Sequence, residues 1–229
     1  MKILVVEDNK EILNNISCCL EMRFNNLNII PVNNKQDAEE ITRNKSPDLV
    51  IIDPFSSNVD ILPLISGIRH YSEVPIIVLS ESETDVDRVR GLEAGADEYI
   101  SRQFNPVELL AQCRALLRRC KIPFFGEDST ISVSGLTLNF ENHEVLKKGQ
   151  PLKLTPIEFR LLAELLKNRG RLIRTGELLN KVWGPNYAQD NYLVKIHVYR
   201  LRSKLQSVAG KSPKIVCERG VGYRLVEQS

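Results

Sequence analysis

The first half of the chain alternates short apolar runs with longer amphipathic segments. The apolar runs have the length of buried parallel strands and are bounded by turn-forming residues. They cover residues 2–6, 27–32, 48–53, 75–79 and 97–100. Helical periodicity predicts a helix after each of them, at about 9–22, 35–45, 60–70, 84–94 and 105–119. Five such units predict an α/β domain on a doubly wound sheet of five parallel strands.

The periodicity changes after residues 122–128, which we interpret as a linker. Alternating apolar positions in 131–154 predict a small antiparallel sheet. Thr155 and Glu158 have the spacing of a capping box that begins a helix. The remaining predicted elements are helices at 156–167, 175–182 and 191–207 and a hairpin with strands at 214–217 and 223–226. The sequence therefore predicts a first domain over residues 1–121 and an α+β domain over 129–229.

The charge is divided unevenly between the two halves. Of the 229 residues, 1–121 carry 14 Lys and Arg against 19 Asp and Glu, or −5, and 122–229 carry 17 against 10, or +7. A basic second module indicates a polyanionic partner. Five cysteines without metal-ligand spacing are typical of reduced thiols in a cytoplasmic protein. No run approaches the roughly 18 apolar residues of a membrane span, so we expect no membrane partner.

Several strands of the first domain end on polar residues. Asp53 ends the run at 48–53, Glu7 and Asp8 follow the first strand, Ser80 follows the fourth, and Arg102 lies beyond the fifth. Ligands bind outside the carboxyl ends of strands in open α/β sheets, so these groups are expected to surround one point. Adjacent carboxylates favour a hard cation such as Mg²⁺. Asp53 would then be a nucleophile toward a phosphoryl group.

Asp53 allows two other interpretations. A lone Asp at a strand end is often a turn or cap residue, and the accompanying acids favour chemistry instead. An aspartate-based phosphatase would need a second acid two residues further on, where Phe55 stands. We therefore expect that the protein is not an enzyme.

The first domain resembles the receiver domain of two-component response regulators. The matching positions are Glu7-Asp8, Asp53, Ser80, Tyr99 and the segment 104–106. The resemblance implies a flavodoxin-like fold, Mg²⁺ held by Glu7, Asp8 and Asp53, and phosphotransfer from a sensor histidine kinase to Asp53. It also implies that Ser80 and Tyr99 turn inward after phosphorylation. The family has a Lys-Pro pair where this chain has Arg102-Gln103, and Arg does not interchange freely with Lys. We expect Arg102 to hold unmodified Asp53 and to weaken the switch.

The helix predicted at 191–207 has a core arc and an opposite, basic arc. Val194, Val198, Leu201 and Leu205 form the core arc. We expect Ile196 at the pole of the opposite arc to meet thymine methyl groups and Arg200 to meet guanine. The other expected DNA contacts on this helix are Lys195, His197, Tyr199, Arg202, Ser203 and Lys204. The more ordinary interpretation is a solvated helix face.

The second domain is similar to the winged-helix effector domain of OmpR/PhoB-type regulators. The matching motifs lie at 154–159, 178–184, 194–205 and 219–224. The resemblance implies that the helix at 191–206 reads double-stranded promoter DNA, that Arg219 enters the minor groove, and that the loop at about 184–190 touches RNA polymerase.

The resemblance also implies a homodimer, at least on DNA. Its face would consist of helix 84–94, strand 97–100 and helix 105–119. The expected ion pairs join Arg88 to Glu108 and Asp97 to Arg114 or Arg118, each occurring twice across a two-fold axis. Gln112 stands where the family usually has a basic residue, so we expect Glu98 to lack a charged partner in this interface. We expect a weak dimer, or a monomer in the absence of DNA, because exposed pairs contribute only about 0–1 kcal/mol each.

The leading hypothesis is therefore a DNA-binding transcriptional regulator of a two-component phosphorelay, phosphorylated on Asp53. The alternative keeps the DNA binding but makes it independent of phosphorylation. In that case the receiver would serve for dimerisation or ligand sensing.

Overall fold

A computed structural model describes residues 1–53, 60–80, 85–120, 129–187, 189–208 and 213–227. The chain separates into two compact units, Met1–Arg118 and Arg119–Ser229. The linker predicted at 122–128 lies outside the described residues, and the domain boundaries stay predictions. None of the helices in these ranges is long and apolar enough to cross a membrane.

The first unit contains a five-stranded parallel sheet with the strand order β2-β1-β3-β4-β5. Its strands are β1 (Lys2–Val6), β2 (Asn28–Val32), β3 (Leu49–Ile52), β4 (Ile76–Ser80) and β5 (Glu98–Ser101). The helices are α1 (Lys10–Glu21), α2 (Lys35–Lys45), α3 (Ile61–Tyr71), α4 (Asp85–Ala94) and α5 (Pro106–Cys120). The predicted doubly wound, flavodoxin-like fold is confirmed.

The register of the central strands places the predicted polar groups at one edge. All four residues of β3 are buried, as expected of a strand covered on both faces. Val6 of β1 pairs with Ile52, and Ile52 pairs with Val78 of β4. The residues that follow these strands therefore meet at the carboxyl edge of the sheet.

In its described residues, the second unit contains two small antiparallel sheets, three α-helices and one 3-10 helix. One sheet contains β6 (Thr130–Val133), β7 (Leu136–Asn139), β8 (Glu144–Lys147) and β9 (Gln150–Pro151). The helices are α6 (Pro156–Lys167), α7 (Thr175–Val182) and α8 (Asn191–Ser207). The other sheet contains β10 (Ile173–Arg174), β11 (Lys214–Glu218) and β12 (Gly222–Val226). Periodicity predicted these elements except β10 and the 3-10 helix Pro185–Tyr187, which are too short to show a period.

Candidate functional site

Asp53 lies at the carboxyl edge of the first sheet and has no solvent exposure. The Nε of Arg102 donates a hydrogen bond to its Oδ2 over 2.9 Å. The backbone N–H of Arg102 donates to the carbonyl oxygen of Ser80 over 2.9 Å, which extends the pairing of β4 and β5. The predicted approach of Arg102 to Asp53 is therefore present in the unmodified chain.

The predicted metal ligands are not gathered as a trio. Glu7 is buried, and its Oε1 accepts a hydrogen bond of 2.7 Å from the backbone N–H of Asn9. Asp8 is exposed. Across the described ranges no three His, Cys, Asp or Glu side chains are placed to hold a metal ion. Mg²⁺ binding by Glu7, Asp8 and Asp53 therefore stays a prediction, because the described residues do not gather these three carboxylates into one ligand set.

The donor chemistry still suits a hard cation. Mg²⁺ binds oxygen ligands and typically takes only one or two protein carboxylates. Glu7 and Asp53 follow adjacent strands, since the backbone N–H of Asp53 donates to Val6 at the end of β1. A cation at this edge would use Asp53, whose Oδ2 is hydrogen-bonded to Arg102.

The ring of Tyr99 packs against α4 at Gly91. A Cβ placed on Gly91 would overlap the Tyr99 hydroxyl oxygen, so only glycine leaves room for this ring. The hydroxyl is buried and has no hydrogen-bond partner among the residues that the structure describes. Burial, together with the charge of Asp87, raises the pKa of Tyr99. Sequence reasoning named Tyr99 and missed Gly91, which looked like any helical glycine.

Two residues of the predicted dimer face, Asp97 and Glu98, are buried inside the first unit. Asp97 is buried and accepts hydrogen bonds from Arg69 Nη2 of α3 (2.7 Å) and from the backbone N–H of Ile76 (2.9 Å). Its predicted pairs with Arg114 or Arg118 of a second copy are therefore wrong, because Arg69 already neutralises it. Glu98 is also buried, which removes it from the surface. The predicted residues that remain accessible are Arg88, Glu108, Arg114 and Arg118.

Helix α8 is buried over a wider arc than its periodicity predicted. Ile196, His197 and Arg200 are all buried, which contradicts their assignment to the DNA-facing arc. The imidazole of His197 packs edge-on against Trp183, with ring centroids 5.1 Å apart. The guanidinium of Arg200 pairs through Nε with Glu158 Oε1 of α6 over 3.1 Å. Burial therefore places these three side chains inside the second unit.

Two more of the predicted basic residues are held by neighbours. Lys204 Nζ lies 2.8 Å from Glu158 Oε2. Arg202 donates through Nε and Nη2 to the carbonyl oxygen of Ile215 in β11. Burial of Glu158 opposes its ionisation, but the charges of Arg200 and Lys204 outweigh it and hold the pKa of this carboxyl below its usual range.

The exposed face of α8 follows a different line of residues. Lys195, Tyr199 and Ser203 are exposed, and Tyr199 keeps 66% of its surface in solvent. Arg219 is exposed in the turn between β11 and β12. A cleft of about 390 Å³ borders this face and is lined by Thr175, Asn191, Lys195, Val221 and other residues of α7 and the hairpin. The sequence did not predict that Thr175 and Asn191 line this cleft. Their only distinguishing feature in the sequence is that each stands at the start of a predicted helix.

Comparison with protein families matches both units. Residues 3–114 match the response regulator receiver domain, and residues 149–225 match the domain described as "Transcriptional regulatory protein, C terminal". The likeness to a solved structure of a mutant of RitR shows the fold alone, with a TM-score of 0.75, 23% identity and 99% of each chain covered.

Curated relatives match over nearly the whole length. KdpE of Mycobacterium tuberculosis is 34% identical over 97% of both chains, and KdpE of Escherichia coli is 33% identical over 98% of both. PhoB of Shigella flexneri is 32% identical over 97% of this chain and 96% of its own. These relatives do not favour the phosphorylation-independent alternative. The chain belongs to the OmpR/PhoB family of response regulators, the DNA-binding transcriptional regulators of two-component systems that receive phosphate from sensor histidine kinases.

Proposed function

We propose that Asp53 is the phosphoryl acceptor of this regulator. The observation that carries the proposal is the fully buried carboxylate of Asp53 at the carboxyl edge of the sheet. It is paired with Arg102, the basic residue that the sequence predicted at this edge. An aspartate oxygen attacks the phosphorus of the kinase phosphohistidine, the P–N bond breaks, and an acyl phosphate forms on Asp53. The guanidinium of Arg102 is placed to pair with a phosphoryl oxygen added to Asp53.

Receiver domains generally bind Mg²⁺ beside the acceptor, and we propose that Glu7 and Asp53 supply oxygen ligands here. When bound, the ion neutralises charge on the transferred phosphoryl group. Arg102 and the hydroxyl of Ser80 would donate to its oxygens. Asp8 is exposed and contributes only if it turns toward the edge. We propose no catalysed reaction other than the transfer of a phosphoryl group to Asp53.

The test is phosphorylation by a small phosphodonor. The full-length protein is incubated with acetyl phosphate and Mg²⁺, and intact mass and peptide mapping locate the added phosphoryl group. We expect one group on Asp53, and none on Asp53→Asn. Asp37→Asn, a matched change at an exposed position of α2, should label like wild type. Labelling of Asp53→Asn at the wild-type level would refute the assignment.

We further propose that Lys195, Tyr199 and Ser203 form the DNA-reading face of α8, with Arg219 reaching the minor groove. Exposure of these residues and burial of Ile196, His197 and Arg200 support this revision of the predicted set. Tyr199 presents an apolar ring edge to thymine methyl groups and a hydroxyl to polar base edges. Arg202 and Lys204, both partly exposed, can reach phosphates only by leaving their partners.

Contact of the segment 184–190 with RNA polymerase stays a proposal. Pro185–Tyr187 forms a 3-10 helix, and Ala188 lies outside the described residues. Pairing of Arg88 with Glu108 in a homodimer is likewise a proposal, supported by the accessibility of both side chains.

A further inference from the structure

The charge that balances Asp53 comes from within the chain. The carboxylate is fully buried, and the Arg102 side chain over it keeps only 18% of its surface exposed. A buried carboxylate is strongly destabilising unless a partner charge and hydrogen bonds compensate it. Arg102 provides both, through an Nε–Oδ2 hydrogen bond of 2.9 Å. The acceptor is thus neutralised before any metal ion arrives.

The same carboxylate is the one that a divalent cation needs. Glu7 binds the backbone N–H of Asn9, Asp8 is exposed, and no metal-ready trio of side chains occurs among the described residues. A cation at this edge would have to coordinate Asp53. A divalent ion and a guanidinium on one carboxylate would stand a few ångströms apart and repel each other. Simultaneous occupation is therefore unfavourable.

The structure also provides space for the displaced side chain. A cavity of about 600 Å³ lies beside the start of α5 and is lined by Arg102, Gln103 and Phe104 together with residues of α1. Asn15 of α1 and Gln103, two residues with amide side chains, are among its lining residues. Both side-chain carbonyls accept hydrogen bonds from a guanidinium. Arg102 can leave Asp53 without entering the apolar core.

We propose that Arg102 is a built-in counter-ion that competes with divalent cations for Asp53. Metal binding and the movement of Arg102 into the cavity beside α1 are then one coupled event. The inference deepens the proposed function, and its significance for signalling rests on Asp53 being the acceptor. The competition itself involves no phosphoryl group, so it succeeds or fails separately from the phosphorylation experiment.

The test is a Mn²⁺ titration of the full-length protein without any phosphodonor, with free Mn²⁺ measured by electron paramagnetic resonance. Arg102→Met keeps an unbranched but shorter side chain and removes its charge, and it should bind Mn²⁺ about tenfold more tightly than wild type. Arg102→Lys keeps the charge with a less extensive set of donors and should fall between them. Arg118→Met removes the same charge from an exposed site on α5 and should bind as wild type does.

Asp53→Asn shows whether the gain depends on the acceptor. In this background, adding Arg102→Met should change Mn²⁺ affinity less than twofold, because the contested carboxylate is gone. A second measurement needs no variant at Arg102. The Nε–H resonance of Arg102 in wild type should shift or broaden as Mg²⁺ saturates the protein. Equal Mn²⁺ affinity of wild type and Arg102→Met, or an Nε–H resonance unaffected at Mg²⁺ saturation, would overturn the proposal.

Discussion

At the scale of the residue, Gly91 determines where Tyr99 can lie. Gly91→Ala would place a methyl group on the tyrosine hydroxyl, and Tyr99 is half-buried with little freedom to withdraw. Overpacking of this kind costs about 1–3 kcal/mol, which outweighs the helix-propensity gain of about 1 kcal/mol. We expect a lower unfolding temperature and a pKa of Tyr99 closer to its usual value, because the ring is driven toward solvent. Thermal unfolding and NMR of labelled tyrosine measure the two effects.

Gly67 of α3 is the matched control for this change. The nearest atoms to a methyl group there belong to the end of the Glu39 side chain, which is flexible and can move aside. Gly67→Ala should therefore be neutral or slightly stabilising and should leave the Tyr99 titration unchanged. Equal destabilisation by both substitutions would mean that glycine at position 91 has no specific role in housing Tyr99.

At the scale of the element, α8 combines a buried clamp with an exposed reading face. The clamp consists of the ion pairs of Glu158 with Arg200 and Lys204. The reading face consists of Lys195, Tyr199 and Ser203. Arg200→Ala leaves Glu158 with one of its two cations removed, and breaking a buried ion pair costs about 3–5 kcal/mol. Tyr199→Ala removes an exposed side chain and should leave stability unchanged while it weakens DNA binding. Urea unfolding followed by fluorescence of the single tryptophan, Trp183, reports on this unit.

DNA binding is measured on a fragment selected from a random pool by the wild-type protein. Lys153→Ala, at an exposed basic position before α6, is the control and should change neither property. If Arg200→Ala were as stable as wild type but bound DNA with relaxed base preference, Arg200 would contact DNA bases despite its burial in this structure.

The same clamp predicts how the stability of the second unit depends on pH. The pKa of Glu158 is lower in the folded than in the unfolded chain, where it is about 4.3. Its contribution is therefore fully present above the unfolded pKa and is lost as pH falls through the folded value. Wild type should lose stability more steeply below about pH 4 than Glu158→Gln, measured by Trp183 fluorescence in urea. Parallel pH profiles would show that the clamp is not ionised.

At the scale of the whole molecule, the ion pair between Asp53 and Arg102 should weaken the effect of phosphorylation on DNA binding. An effector shifts an equilibrium only by its difference in affinity for the two states, and Arg102 already engages the unmodified acceptor. We expect beryllofluoride, an acyl-phosphate mimic, to raise DNA affinity only a few-fold, or about 1 kcal/mol of coupling or less. Arg102→Lys should raise this ratio. A hundred-fold gain in wild type that Arg102→Lys leaves unchanged would show that Arg102 does not weaken the effect of phosphorylation.

Much of the architecture could be read from local patterns in the chain. The apolar run that ends at Asp53 predicted a central strand and the group that follows it, because buried strands need apolar residues on both faces. The spacing of Thr155 and Glu158 predicted the start of α6, and their reciprocal hydrogen bonds of 2.9 and 3.3 Å confirm it. Such features depend on residues a few positions apart, so the sequence by itself determines them.

Tertiary structure decided which charged side chains meet and which face of α8 stays exposed. The partners of Asp97, Asp53 and Glu158 lie 28, 49 and 42 positions away along the chain. Periodicity defines the middle of a buried arc, whereas its width depends on how many elements pack around the helix. Helix α8 packs against α6, α7 and β11, so its buried arc extends to Ile196 and Arg200. The number of neighbours is a property of the folded chain, and no window of sequence contains it.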